Sequence, residues 1–518
     1  MGLGREIIVF ICGACVMVME LVGSRLMAPY LGTSLFVWTS LIGVILGCLS
    51  LGYWVGGILA DKRPEPKVFS GILLLSGITI ALVALAGDPV LFFVQSLFTD
   101  VRISAVLATV ILFGIPSVLL GMVSPFAVKL KLSDIHKTGS AAGTLYALST
   151  LGSIVGTFLA GFFLMSFFSH RAILFGISLA LIALSPLAAG RRRNIQAVLA
   201  FIAVLGSSFT EPFVQSVMGQ GFHEVHTAYN RAWIYDAYME GRPVRVMQLN
   251  DTGDSAMFLE SDELAFDYTR FFRLAGHFRP DLKKTLMIGG GAYSYPKYFL
   301  KEFPEGTMDV VEIDPELTEI SRKWFGLKED PRLRIFHEDA RTYLNRTTDR
   351  YDVVYGDVYK SYSVPFHLAT VEAIQKISDA MTDDGVFVMN VISAAEGGQG
   401  RFLHAMLATL DQVFPQTFVF AVARPEDALQ AQNFMVVSFK TKARRSFVSA
   451  DPAINRMLAH VWPAPIARDL PALTDHYAPV EDYLTEVITE HPERKTSFLH
   501  RKYAEKRSQR AALQSPSK

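Results

Sequence analysis

Charged residues are scarce in this chain. Asp, Glu, Lys and Arg make up 19% of its 518 residues and the formal net charge is zero, which implies neither nucleic acid nor an anionic surface as a partner. Cys12, Cys15 and Cys48 are the three cysteines, and all lie in apolar segments. No disulfide framework or cysteine metal site is therefore expected in the polar half. The twelve histidines show no HExxH-like pattern, so no metal is expected.

Long apolar runs fill the first two hundred residues. They are long enough to cross about 30 Å of hydrocarbon. The candidate spans are roughly 5–29, 36–60, 68–86, 103–128, 140–168, 171–189 and 194–209, the last being short. We expect residues 1–209 to form an all-α, multi-pass bundle of about seven transmembrane helices in the inner cell membrane, with the lipid bilayer as its partner. Glycine pairs at helical spacing should let helix backbones approach closely: Gly43/Gly47, Gly52/Gly56 and Gly152/Gly156.

Basic residues mark alternate loops between these runs. Cytoplasmic loops carry an excess of Lys and Arg, so these loops should face the cytoplasm. The residues are Lys62, Arg63 and Lys67, then Lys129, Lys131 and Lys137, then Arg191, Arg192 and Arg193. Seven spans would then place the C-terminal half outside, whereas the substrate inferred below places it in the cytoplasm. The weak point is the short run 194–209.

After Phe209 the composition becomes mixed, and strands alternate with helices from Thr285 onward. This alternation predicts a C-terminal α/β Rossmann-like domain with a doubly wound, mostly parallel sheet. We expect a linker and small β-hairpin module over 210–280, the nucleoside-binding catalytic domain over 281–445, and a C-terminal extension with a basic tail over 446–518.

The residues that end the predicted strands are the candidate ligand contacts, because ligands bind at the carboxyl ends of such sheets. Gly289, Gly290 and Gly291 end the first strand, and Glu312 ends the second at the position of a ribose-binding acid. Asp339 and Asp357 follow the third and fourth strands. A tight turn without a ligand is the alternative. Ser294 replaces the third glycine of a dinucleotide fingerprint and no Lys or Arg accompanies the loop, which favours a nucleoside without phosphate.

Several ordered blocks in this half resemble the spermidine synthase (polyamine aminopropyltransferase) family, a relative of the S-adenosylmethionine-dependent methyltransferases. They are "DELAFDY", "MIGGGA", "VVEIDPELTEISRKWF", "DPRLRIFHEDARTYL", "YDVVYGDVY" and "LATVEAIQKISDAMTDDGVFVMN". The whole chain resembles the membrane-fused members, through "ELVGSRLMAPYLGTSLFVWTSLIGVILG" and "LTDHYAPVED".

The resemblance implies a role for each of these residues. The three glycines would pass under the methionine-derived part of the nucleoside, Glu312 would hold the ribose hydroxyls, and Asp339 would face the adenine amino group. Asp357 matches the first Asp of the family's D-x-x-D motif, where it helps to deprotonate the acceptor amine.

Three departures from the family pattern remove attraction for an amine. Ala292 stands where the family has an amine-binding Asp, and Lys360 replaces the second Asp of D-x-x-D. The segment Phe266, Asp267, Tyr268 suggests that the catalytic hydroxyl is lost or displaced. A lysine in place of a buried carboxylate costs several kcal/mol against a dicationic ligand. We therefore expect a site for intact S-adenosylmethionine.

The simplest chemistry for such a site is cleavage of the tail C–S bond at the sulfonium, which releases 5′-methylthioadenosine without a polyamine acceptor. Asp357, Lys360 and Tyr359 are the expected catalytic residues. Four tyrosines at the predicted mouth offer π-faces to the sulfonium, or are ordinary packing: Tyr293, Tyr295, Tyr359 and Tyr362. No cofactor is expected beyond S-adenosylmethionine, or its decarboxylated form, as substrate.

Two alternatives stay open. One is the family reaction, aminopropyl transfer from decarboxylated S-adenosylmethionine to a polyamine. The other is a non-catalytic nucleoside sensor coupled to a transport bundle. The second is motivated by Glu20 and Arg25 in the first span, which could form an ion pair, line a polar cavity or bind a substrate. A homo-oligomer is left open.

Overall fold

The computed structural model describes residues 2–98, 100–131, 138–189, 194–210, 213–219, 221–250, 252–358 and 364–490. The described residues divide into two compact units, one before and one after residue 220. We call them the helical unit and the C-terminal unit.

The helical unit consists of long apolar helices joined by short turns. Its helices are α1 (Gly2–Leu31), α2 (Leu35–Lys62), α3 (Pro66–Leu97), α4 (Val101–Gly121), α5 (Val123–Lys131), α6 (Thr138–Leu159), α7 (Met165–Phe167), α8 (His170–Ala189), α9 (Asn194–Ser208) and α10 (Phe213–Met218). A π-helical turn, Ala160–Leu164, joins α6 to α7.

Six helical stretches in the described part of this unit are long and apolar enough to cross a membrane. The seventh predicted span is not confirmed. It corresponds to α9, whose 15 residues rise only about 22 Å. The described residues therefore contain six candidate spans.

Glycine brings several of these helices into backbone contact. A Cβ at Gly56 would lie 2.6 Å from Cα of Met122, and one at Gly156 would lie 2.7 Å from Cα of Ala14. Gly43 and Gly47 have no heavy atom within 4 Å of such a Cβ. The prediction of close approach is confirmed for the other two glycine pairs and is wrong for this one. Backbone contact at two pairs needs glycine, because any side chain would separate the helices.

Polar contacts in the helical unit gather near the helix ends. Lys131 lies 2.6 Å from Glu6 at the start of α1, and Lys129 lies 2.7 Å from Asp61 at the end of α2. The guanidinium of Arg25 donates to the carbonyl of Met165, at 2.5 Å, where the π-helical turn ends. Lys129 and Lys131 thus lie at the end of the bundle where α1 starts, whereas Arg25 lies 19 residues further along α1, about 28 Å away.

The C-terminal unit begins with a four-stranded antiparallel sheet in the order β1-β2-β3-β4. The strands are β1 (His223–His226), β2 (Arg231–Met239), β3 (Arg242–Leu249) and β4 (Thr252–Phe258). The predicted β-hairpin module is therefore a larger sheet. Two short helices follow it, α11 (Asp267–Phe271) and α12 (Leu274–Phe278).

A second, seven-stranded sheet has the order β10-β11-β9-β8-β5-β6-β7. Its strands are β5 (Lys284–Ile288), β6 (Thr307–Val311), β7 (Leu333–Phe336), β8 (Tyr351–Gly356), β9 (Met381–Ser393), β10 (Gln416–Ala421) and β11 (Gln432–Phe439). The helices between and after them are α13 (Ser294–Glu302), α14 (Pro315–Trp324), α15 (Ala340–Arg346), α16 (Val371–Asp379), α17 (Arg401–Leu410), α18 (Pro452–Ala459) and α19 (Val480–Glu490).

The strand order reverses between β5 and β8, which pair in parallel although β6 and β7 intervene in sequence. The strands β5 to β9 are parallel, and β10 and β11 are antiparallel. The prediction of a mostly parallel Rossmann-like sheet is confirmed. Ligands bind at such a reversal, on the carboxyl side of the strands.

Candidate functional site

The glycine loop after β5 has a backbone that only glycine adopts easily. Gly289 has φ +91° and Gly291 has φ +52°. A Cβ on Gly289 would lie 2.7 Å from the carbonyl oxygen of Asp357, so the loop and the end of β8 are in close contact. Both conditions require glycine rather than alanine at position 289.

Glu312 holds this loop from the end of β6. Its Oε2 accepts hydrogen bonds from the N–H groups of Gly290, at 2.8 Å, and Gly291, at 3.3 Å. Its Oε1 accepts from the N–H of Asp314 at 3.0 Å. The carboxylate is buried, at 6% exposure, and lies where the sequence predicted it, beside the glycines. Its contact with a ribose stays a prediction.

The sequence reasoning missed Ile313. It follows Glu312 and is 41% exposed, although it is a large apolar side chain. The signal was present in the string "VVEID", where an apolar residue follows the strand-ending acid. An exposed apolar surface beside a polar anchor suits the flat face of a heterocyclic base.

Asp339 serves the fold as well as the predicted site. Its Oδ1 accepts from the N–H of Thr342, at 3.0 Å, and thereby caps α15, while its Oδ2 lies 3.0 Å from Nε2 of His367. Burial raises the pKa of Asp339, but the hydrogen bonds from Thr342 and His367 outweigh it and leave this pKa below its usual value. The side chain is ionised near neutral pH.

Asp357, after β8, lies between two hydrogen-bond donors. The hydroxyl of Tyr268 donates to its Oδ2 at 3.4 Å, and the amide of Asn390 donates to its Oδ1 at 3.3 Å. We expected the catalytic hydroxyl to be lost or displaced, and α11 brings the hydroxyl of Tyr268 to this carboxylate from another part of the chain. Its catalytic role stays a prediction. Asn390 lies in the buried part of β9 and was missed, since no local pattern distinguishes it.

One of the predicted ligand contacts, Ala292, is buried. Ala292 is 1% exposed and packs in an apolar cluster with Ile234, Leu317 and Ile320. Its methyl group therefore does not face the ligand, contrary to our expectation, because α13 starts at the next turn. Its N–H donates to Ser255 at 3.1 Å, which joins the loop to β4.

The tyrosines expected at the mouth include two that belong to the core. Tyr293 is 0% and Tyr295 is 3% exposed. Tyr293 bonds Thr318 at 2.7 Å, and Tyr295 bonds Tyr355 at 3.0 Å. Burial raises the pKa of both Tyr293 and Tyr295, so both stay neutral. The alternative of ordinary packing is correct for them.

Two of the predicted catalytic residues, Tyr359 and Lys360, lie outside the described residues, as does Tyr362. Within the described ranges, no three His, Cys, Asp or Glu side chains are grouped so that they could hold a metal ion.

The segment "LTDHYAPVED" packs beside the Asp339 side of the sheet. Asp475 accepts from Thr370 at 2.6 Å and from Arg341 at 2.7 Å. Arg341 also donates to the carbonyl of His367, at 3.1 Å. The C-terminal extension is thus linked through Arg341 to the residue that pairs with Asp339.

The chain is similar to known proteins over its C-terminal unit and beyond it. Residues 268–446 match the family model of the spermine/spermidine synthase domain. A polyamine aminopropyltransferase of Vibrio vulnificus is 28% identical over 160 residues, 30% of this chain and 51% of that protein. Polyamine aminopropyltransferase 2 of Aquifex aeolicus is 24% identical over 428 residues, 74% of this chain and 78% of that protein.

A solved structure, of a probable spermidine synthase from Corynebacterium glutamicum, is 24% identical and covers 45% of this chain and 86% of that chain, with a TM-score of 0.40. The chain spans about half the length of the Vibrio relative. The resemblance predicted from the motifs is confirmed.

Proposed function

We propose that this chain, which carries a spermine/spermidine synthase domain over residues 268–446, transfers an aminopropyl group from decarboxylated S-adenosylmethionine to an amine. The catalytic domain is the one predicted over 281–445, together with Tyr268. The reaction releases 5′-methylthioadenosine.

The hydroxyl of Tyr268 beside the carboxylate of Asp357 is the observation that carries this proposal. An alkyl amine has an ordinary pKa of about 10 and is mostly protonated at neutral pH, so it must lose a proton before it attacks. Asp357 takes that proton as general base, and Tyr268 orients the carboxylate. The amine nitrogen then forms a bond to the carbon on the sulfonium, and the C–S electron pair returns to sulfur.

The remaining residues hold the nucleoside in line with the amine. The glycine loop is in close backbone contact with Asp357, and the carboxylate of Glu312 beside the loop would accept hydrogen bonds from the ribose. Ile313 offers an apolar surface to the base, and Asp339 an acceptor for its amino group. Holding both reactants in this geometry supplies much of the rate enhancement.

Cleavage of intact S-adenosylmethionine without an acceptor is the second candidate function. Lys360 favours it, since a cation replaces the carboxylate that would attract a diamine and suits an anionic amino-acid end. Tyr359 directly precedes Lys360 in the sequence. The buried position of Ala292 removes the other argument for this reaction.

The two reactions are separated by incubating the full-length protein with each nucleoside, with and without putrescine, and measuring 5′-methylthioadenosine by chromatography. We expect product from decarboxylated S-adenosylmethionine only when an amine is present. Product from intact S-adenosylmethionine without amine would establish the lyase. Nucleoside binding without any product would establish the sensor and overturn the proposed transferase.

We also propose that the helical unit anchors the enzyme in the membrane and that the C-terminal unit acts in the cytoplasm. Six crossing helices return the chain to the side of the basic loops, which face the cytoplasm. The guanidinium of Arg171, at the start of α8, bonds Thr210, after α9, at 2.8 Å. Because α8 starts at the end of the bundle opposite the basic loops, this contact brings the end of α9 to that end and favours the outside for the C-terminal unit, whereas the cytoplasmic placement rests on the proposed substrate.

Tyr238 is 80% exposed on β2 and allows a test of the side. Tyr238→Cys should react with a membrane-impermeant maleimide only after the cells are permeabilised, with the unsubstituted chain as background control. Labelling of intact cells would place the C-terminal unit outside.

A further inference from the structure

A chain of two asparagines reaches Asp357 from the antiparallel edge of the large sheet. The side chain of Asn433 on β11 donates to Oδ1 of Asn390 on β9, at 2.9 Å. The side chain of Asn390 donates in turn to Oδ1 of Asp357, at 3.3 Å. Asn390 is buried, at 5% exposure.

Strand register places these three residues in one row. Gly356 on β8 pairs with Met389 on β9, so the next residues along the two strands are Asp357 and Asn390. Across the other edge of β9, Asn390 pairs with Met435, and Asn433 lies two residues before Met435 on β11. Residues at that diagonal offset face the same side of a sheet and are within reach of each other.

The chemistry of the groups fixes the direction of the hydrogen bonds. An ionised carboxylate only accepts, so Asn390 must turn its NH₂ toward Asp357. Its carbonyl oxygen then faces Asn433, which must present its own NH₂. Each amide has one orientation that satisfies both neighbours, and a buried amide in the opposite orientation would lose both hydrogen bonds.

We infer that Asn433 is a positioning residue, which sets the orientation of Asn390 and through it the orientation and ionisation of the base Asp357. This inference rests on the proposed transferase function and adds to it a residue that contacts neither substrate. The donor from Asn390 stabilises the charged carboxylate and leaves Oδ2, on the Tyr268 side, to receive the amine proton.

Two substitutions at one position test the inference in the full-length protein. Asn433→Ala removes the donor to Asn390. Asn433→Asp keeps the shape but presents an acceptor, so Asn390 should rotate and turn its oxygen toward Asp357. Asn345→Asp on α15 is exposed and serves as the matched control for the added charge.

We expect Asn433→Ala to lower kcat about tenfold, a fraction of the 10²–10⁴ that a positioned base contributes, with KM for the nucleoside unchanged. The acidic limb of the kcat/KM profile should move to higher pH, by roughly half a unit for Asn433→Ala and about one unit for Asn433→Asp. Asn345→Asp should leave the profile in place.

A purely structural role would lower activity together with the melting temperature and would not move the pH limb. If the Asn433 variants are active and the acidic limb of their pH profile is unshifted, the inference is overturned and the proposed transferase function is not affected. An unsubstituted protein that makes no product with any nucleoside and amine would overturn the proposed function and this inference together. If Asn433→Asp does not fold, the pH profile of Asn433→Ala alone tests the inference. A shift of its acidic limb to higher pH supports the inference, and an unshifted limb overturns it.

Discussion

The charged side chains of the two units differ in their positions and in their partners. In the helical unit, helices meet through glycine and apolar side chains, and the ion pairs Lys131–Glu6 and Lys129–Asp61 lie near the helix ends. In the C-terminal unit, carboxylates end buried strands and are tied into the backbone, as Glu312 is to the glycine loop. The polar contacts of the C-terminal unit therefore indicate where a reaction could take place. The contacts of the helical unit show how its helices associate.

The largest effect on activity should come from substitution of the proposed general base, Asp357, in the C-terminal unit. Asp357→Asn removes the proton acceptor and keeps the shape. We expect kcat to fall by about 10³-fold, while nucleoside binding measured by calorimetry changes little, because the glycine loop and Glu312 are intact. Asp352→Asn, on the same strand at its other end, is the matched control and should retain activity. Unchanged turnover in Asp357→Asn would show that another group takes the proton.

Ion pairs should contribute differently to stability in the two units. Asp309 on β6 is 2% exposed and accepts from Arg334 and, at 2.7 Å, from the hydroxyl of Tyr351. Asp309→Ala removes the buried acceptor of Arg334 and leaves that hydroxyl with Tyr343 as its other partner, and it should cost about 3 kcal/mol. Asp61, whose side chain is 71% exposed, pairs with Lys129, and Asp61→Ala should cost less than about 1 kcal/mol.

Thermal unfolding of the full-length protein in detergent, followed by tryptophan fluorescence, compares the two variants. Equal losses would show that burial does not distinguish the ion pairs of the two units.

Close contacts between helix backbones at glycine should contribute to the stability of the helical unit. Gly152 on α6 faces the backbone of Phe10 on α1 so closely that an added Cβ would collide with its carbonyl group. Gly152→Val should destabilise the bundle by about 2 kcal/mol, since neither helix backbone can yield without separating. Gly43→Val, where nothing lies within 4 Å, is the control and should unfold with the native midpoint. Similar midpoints for both variants would mean that α1 and α6 do not depend on this contact.

The predictability of the fold also differs between the units. Six of the seven apolar runs correspond to helices that can span a membrane, because length and hydropathy are local properties of the sequence. The run 194–209 is helical too, but its helix has only 15 residues, so the seventh span is not confirmed. In the C-terminal unit the alternation of strands and helices predicted the parallel sheet, and strand ends predicted that Glu312 and Asp357 flank the glycine loop.

The parts of the site that were missed depend on long-range contacts. Asn390 reaches Asp357 across 33 residues of sequence and no local pattern marks it, whereas Tyr268 reaches it across 89 and was interpreted as a departure from the family pattern. Ala292 was misplaced for the opposite reason: the motif fixes its position in sequence, but the turn into α13 directs its side chain to the core. Family motifs locate the backbone, and packing decides which side chains face the cleft.

The smallest effect should come from substitution of Asp339, which caps a helix and also belongs to the proposed site. Asp339 caps α15, and Asp451 caps α18 by accepting from the N–H of Ala453 at 2.7 Å. Asp339→Ala and Asp451→Ala should each cost about 1 kcal/mol. Folding lowers the pKa of Asp339, so its contribution is present above the unfolded pKa of about 3.9 and is lost as the pH falls below it. Asp339→Ala should therefore flatten the acid dependence of stability between about pH 5 and 3. Only Asp339→Ala should also weaken nucleoside binding, because Asp451 has no place in the proposed site. Equal binding by both variants would assign Asp339 to the fold alone.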